Sequence, residues 1–62
     1  MDIEAQMRVY VTTATGREVE CLTTTQVVPG RDMPVVWVTS IDPARAWKMR
    51  DMPWPAQYVR PA

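Results

Sequence analysis

The chain has 62 residues, 47% of them hydrophobic, with seven basic and seven acidic side chains, one cysteine and no histidine. One cysteine allows no internal disulfide, and the missing imidazole removes the common Cys/His zinc sets, so two usual staples of small domains are gone. A formal net charge of zero also lacks the basic surplus from which dedicated nucleic-acid binders draw affinity.

Residues 1–6 read as a flexible N-terminus ahead of a single domain over residues 7–62. The start is acidic, with Asp2 and Glu4 and no apolar stretch, unlike a signal peptide. From Met7 the chain alternates. Met7, Val9 and Val11 share one face, and Arg8, Tyr10 and Thr12 the other, which predicts a half-buried strand. Gly16 supplies the positive φ of a tight turn. Glu18 to Val28 is rich in β-branched residues, with Val19, Cys21 and Thr23 opposite Glu18 and Glu20. Leu22 falls on the glutamate face, which calls for a bulge or sharp bend near 22–25.

Val28-Pro29-Gly30-Arg31 carries a type II turn signature, with Gly30 at positive φ. Pro34 to Ile41 is the richest run of β-formers. Trp37 sits between valines, which predicts a central strand with Trp37 in the core. Residues 42–51 admit two readings. Asp42-Pro43 suits a helix start, with an Asp N-cap and Pro at the first helical position. Ala46-Trp47-Lys48-Met49-Arg50 also alternates as a strand with Trp47 and Met49 inward, and the clean alternation favours the strand. Met52-Pro53-Trp54-Pro55 is expected to be irregular, because each proline removes a donor and restricts its predecessor. Gln57 to Arg60 closes the chain. Short strands separated by Gly and Pro turns predict an all-β protein, a small antiparallel barrel.

The segment Trp54-Pro55-Ala56-Gln57-Tyr58-Val59 resembles the ending of Src-homology-3 domains, which runs bulky apolar, Pro, small, polar, Tyr, Val. Trp37 stands at a compatible distance before it. Val9-Tyr10-Val11 and Glu18-Val19-Glu20-Cys21-Leu22 are loosely similar to earlier segments of the family. The resemblance implies a Src-homology-3-like barrel of four to five strands with a short helix or 3-10 turn. It also implies an aromatic groove of Tyr10, Trp37, Pro55 and Tyr58 for a polyproline-type peptide. The chain departs from the family in its first loop, where Thr12-Thr13-Ala14-Thr15-Gly16 has no acid. Thr23-Thr24-Thr25 replaces the family's lysine-glycine-aspartate turn.

Little here suggests catalysis. The commonest general base is absent, Cys21 has no imidazole partner and reads as a small buried hydrophobe, and two glycines build no phosphate loop. Glu18 and Glu20 read as a solvated strand face. No enzyme, cofactor or metal site is expected. Trp47-Lys48-Met49-Arg50-Asp51-Met52-Pro53-Trp54-Pro55 concentrates the residue types enriched at interface cores. The expected partner-binding set is Tyr10, Trp47, Met49, Arg50, Met52, Trp54, Pro55 and Tyr58, with Trp47 and Trp54 either exposed or closing the barrel floor. The chain is then a protein-interaction module that binds a protein partner or a second copy. The alternative is a nucleic-acid-binding barrel using Arg45, Lys48 and Arg50 with Trp47 and Trp54. Six arginines against one lysine, with no Asn or Phe, indicate a GC-rich genome, bacterial or phage. The unpaired thiol and the lack of a long apolar run point to the cytoplasm and away from a membrane.

Overall fold

The computed structural model describes residues 3–46 and 48–62. Its strands are β1 (Arg8–Thr12), β2 (Glu18–Thr23), β3 (Val28–Pro29), β4 (Pro34–Ser40), β5 (Met52–Pro55) and β6 (Val59–Pro61). One short helix, α1 (Pro43–Ala46), follows β4, and a 3-10 turn (Ala56–Tyr58) links β5 to β6. The sheet runs β3-β4-β2-β1-β6, with β5 on the other edge of β4, and every pairing is antiparallel. It curls strongly into a half-barrel, and the described residues are mostly β with one short helix and one 3-10 turn. No helix among the described residues is long and apolar enough to cross a membrane.

Alternation sets the core. Val9 and Val11 of β1 face Cys21 and Val19 of β2, and Val36, Val38 and Val59 complete the buried apolar cluster. Each buried valine contributes about 1.5–3 kcal/mol relative to exposure. Among the described residues the cluster holds no aromatic ring. Ile3, Met7, Met49, Trp54 and Ala56 pack against it while only partly buried.

The bend expected after Leu22 is present. β2 ends at Thr23, and the next two residues turn back onto Trp37. The Thr24 N–H and hydroxyl both donate to the Trp37 carbonyl, at 2.8 and 3.2 Å, and the Trp37 N–H donates to Thr25 Oγ1 at 3.2 Å. Leu22 itself stays outside, 40% exposed. Thr23 is fully buried and holds the N-terminal segment. Its hydroxyl donates to the Glu4 carbonyl and accepts from the Met7 N–H, and its carbonyl accepts from Gln6 N–H.

Four expectations are corrected. Gly16 has the positive φ predicted, 84°, but Gly30 does not, so residues 28–31 form no type II turn. Val28 and Pro29 instead pair with Val35 and Pro34. Glycine is required at 30 for space, because a Cβ there would lie 2.2 Å from the Met33 carbonyl oxygen and 2.8 Å from Val35 Cγ1.

Trp37 is half-buried and not core. β4 alternates strictly, Val36, Val38 and Ser40 inward, which turns Trp37 to the outer face. Among the described residues of 46–50 no strand forms: Ala46 ends the helix α1, and residues 48–50 turn and bend. Asp42 Oδ1 accepts the Ala44 N–H at 3.0 Å and satisfies a donor that the first turn leaves orphaned. Lastly, Met52–Pro55 is a regular strand, in register with Val35–Val38. Pro53 and Pro55 are two residues apart, so both ring nitrogens lie on one edge of the strand. An edge strand needs no donor on its outer side.

Candidate functional site

The 3-10 turn and the β1–β2 loop face one another across a shallow hollow. Pro55, with φ −55° and ψ 128°, leads the chain into the turn, and Val59 returns to extended geometry and is buried. Anchored at Val59, the turn presents Tyr58 outward, 51% exposed. Opposite, the loop is closed by its own backbone. Thr13 N–H donates to the Arg17 carbonyl at 2.8 Å, and Gly16 N–H to the Thr13 carbonyl at 2.9 Å. Trp54 is fixed between the two, its indole N–H donating to the Thr12 carbonyl at 3.1 Å. The resulting hollow, about 470 Å³, is lined by Thr12, Thr13, Ala14, Gly16, Trp54, Pro55 and Tyr58, none of them charged.

A second hollow, about 500 Å³, lies on the other side of Pro55, beneath the β3–β4 loop, with Trp37, Pro53 and Met33 in its walls. A third, about 620 Å³, opens between β2 and α1 and is polar. Its carboxylates are engaged: Glu18 with Arg60, Glu20 with Arg8 at 3.6 Å, and Asp42 with Arg45 at 3.9 Å.

Of the residues expected to bind a partner, Trp54, Pro55 and Tyr58 come together in one hollow. Tyr10 does not join them. It faces Arg60 across the β1–β6 pair, and that guanidinium lies 4.8 Å from its ring centroid. Arg60 in turn forks onto Glu18 at 2.6 and 2.9 Å. This hydrogen bonding holds the Glu18 carboxyl below its ordinary range and raises Arg60. Met49 is half-buried against the core, and its carbonyl accepts the Ser40 N–H. Met52 is 36% exposed at the start of β5, and Arg50 is exposed in the preceding bend. Trp47 lies outside the described residues.

Arg45, Lys48 and Arg50 line neither apolar hollow. The Cys21 thiol is fully buried, and burial, with the nearby Glu20 charge, pushes it up to about 11. Among the described residues no group of three or more His, Cys, Asp or Glu is placed to hold a metal.

The residues that sequence reasoning passed over are Thr12, Thr13, Ala14 and Gly16 of the loop wall, and Pro53. A cluster of small uncharged loop residues beside a strand end is the only local signal for the former. For Pro53 the signal is the alternation Pro-Trp-Pro, which puts Trp54 on one face and both prolines on the other. Comparison with protein-family models, curated proteins and solved structures returns no match to the chain.

Proposed function

We propose that the chain is a non-enzymatic protein-interaction module whose hollow at Trp54, Pro55 and Tyr58 receives an extended, proline-containing segment of a protein partner. The observation that carries this reading is an uncharged hollow walled by three ring side chains, one of them a half-exposed tyrosine. Flat rings grip a polyproline helix well, because that helix is already ordered and loses little entropy on binding. The Tyr58 hydroxyl adds a polar tip for a peptide carbonyl, while the Trp54 N–H, engaged with the Thr12 carbonyl, fixes the indole as an apolar wall. The curled half-barrel and the 3-10 turn leading into the last strand support a Src-homology-3-like barrel as part of the same reading. The unpaired thiol and the codon-biased composition fit the cytoplasm of a GC-rich bacterium or its phage. The alternative, nucleic-acid binding, has weaker support, since zero net charge supplies no electrostatic driving force.

Titration of the ¹⁵N-labelled chain with a proline-rich decapeptide tests the reading. Shifts are expected at the Trp54 indole N–H and around Tyr58, with a dissociation constant of roughly 10–500 µM, as for a small interface. Tyr58→Ala should weaken binding about tenfold with the fold intact. An unperturbed spectrum at millimolar peptide rejects the proposal.

A further inference from the structure

An adjoining face of the molecule, which shares Pro55 with the peptide hollow, carries a second proposal that rests on other residues. Among the described residues the largest apolar side chains are not in the core, which there consists of six valines and Cys21. The outer face of β3, β4 and β5 holds many of them instead. The registers set Val28 beside Val35 and Val35 beside Pro55, and Trp37 beside Pro53. Met33, 44% exposed, stands at the rim of the 500 Å³ hollow that Trp37, Pro53 and Pro55 wall. The remaining outer face, on β1, β2 and β6, is mostly polar and internally paired, Arg60 with Glu18 and Tyr10, and Arg8 with Glu20, with Leu22 its one large exposed apolar side chain among the described residues.

We infer that this face pairs with a second copy of the chain about a two-fold axis. Three features select a second copy over other occupants. First, growth by strand addition is hindered, since five of the six prolines lie in strands and each terminal strand, β3, β5 and β6, carries at least one. That favours association through a face. Second, the face carries both a knob and a hole, a flexible methionine beside a hollow walled by Trp37. In an isologous contact Met33 of each copy enters the hollow of the other, with its sulfur against the indole. Third, the only charged residues of that hollow are Arg31 and Asp32, and neither forms an ion pair within the described residues. Under a two-fold, Arg31 of one copy meets Asp32 of its partner, twice. A neutral chain has no net repulsion to oppose this.

Sedimentation equilibrium over a concentration series tests the pairing, with circular dichroism to show that each variant folds. The wild type should reach twice the 7.1 kDa chain mass. Met33→Glu, in an exposed loop, should raise the dissociation constant at least about tenfold. Arg31→Asp and Asp32→Arg should each do the same, because like charges then meet across the axis. Mixed one to one, these two variants should recover the dimer, since each supplies the charge the other lacks. A wild type that stays monomeric to about 1 mM overturns the proposal. So does dimerisation indifferent to all three substitutions, or a mixture no more associated than its components. Peptide binding at Tyr58 that survives Met33→Glu separates the two surfaces.

Discussion

Cys21 pairs with Val9 on one side and Ser40 on the other, in the middle of the sheet and fully buried. Its thiol is raised from 9.0 to about 11, chiefly by burial. The folded state therefore holds the neutral form more tightly than the unfolded chain does. That contribution to stability is complete below pH 9 and is lost as the pH rises through about 11. The wild type should accordingly lose melting temperature between these values more steeply than Cys21→Val. Alkylation by iodoacetamide at pH 8 should be at least about a hundredfold slower in the folded chain than in denaturant, because the buried thiol is reached only when the fold opens and is less ionised than in the unfolded chain. Equal labelling rates would show the thiol to be accessible. Burial of Cys21 was legible in the alternation of Val19, Cys21 and Thr23. The use of Thr23 was not, because its hydroxyl bonds to Glu4 and Met7, distant in sequence. The same holds for Tyr10, whose aromatic face is taken by Arg60, a residue from the far end of the chain.

At the scale of elements, the two glycines serve different ends. Gly16 needs its φ of 84° and has open space around it, so Gly16→Ala should cost only about 1 kcal/mol through backbone strain. Gly30 sits against the Met33 carbonyl and the Val35 side chain, and a backbone atom cannot simply rotate away. Gly30→Ala should destabilise by about 2–3 kcal/mol and displace the β3–β4 hairpin. Urea unfolding of the two variants checks the order, and equal losses would refute the close-approach argument. Strand β5 teaches a related point. The penalty of a proline depends on which edge of the strand its nitrogen occupies, and composition does not carry that information. Helix α1 has the Asp42 cap on the Ala44 N–H and backbone bonds from Arg45 to Asp42 and from Met49 to Arg45, which a strand over 46–50 would forgo.

For the molecule as a whole, the Glu18–Arg60 fork ties the start of β2 to the last strand across 42 positions of sequence. Glu18 ionises below its ordinary 4.5, so the folded state favours the carboxylate. The stability this lends is present above pH 4.5 and is lost as the pH falls through the lower, folded value. Acidification below 4.5 should then lower the melting temperature of the wild type more than that of Glu18→Gln. The difference should be small and should shrink with added salt, because the pair is exposed. Parallel curves for the two proteins would remove the fork as a contributor to closure. Local patterning by itself determined the strands β1, β2 and β4, the inward faces of the first two, the bend after Leu22 and the tight turn at Gly16. These depend on side-chain period and on φ, both local properties. The 3-10 turn before the last strand followed from a resemblance carried by six residues. Only the tertiary structure decided that Trp37 faces outward, that the prolines of β5 lie on its open edge, and that Trp54 and Tyr58 meet the β1–β2 loop. Each of these depends on which partner a strand finds, and a partner remote in sequence leaves no periodic trace in the segment it covers.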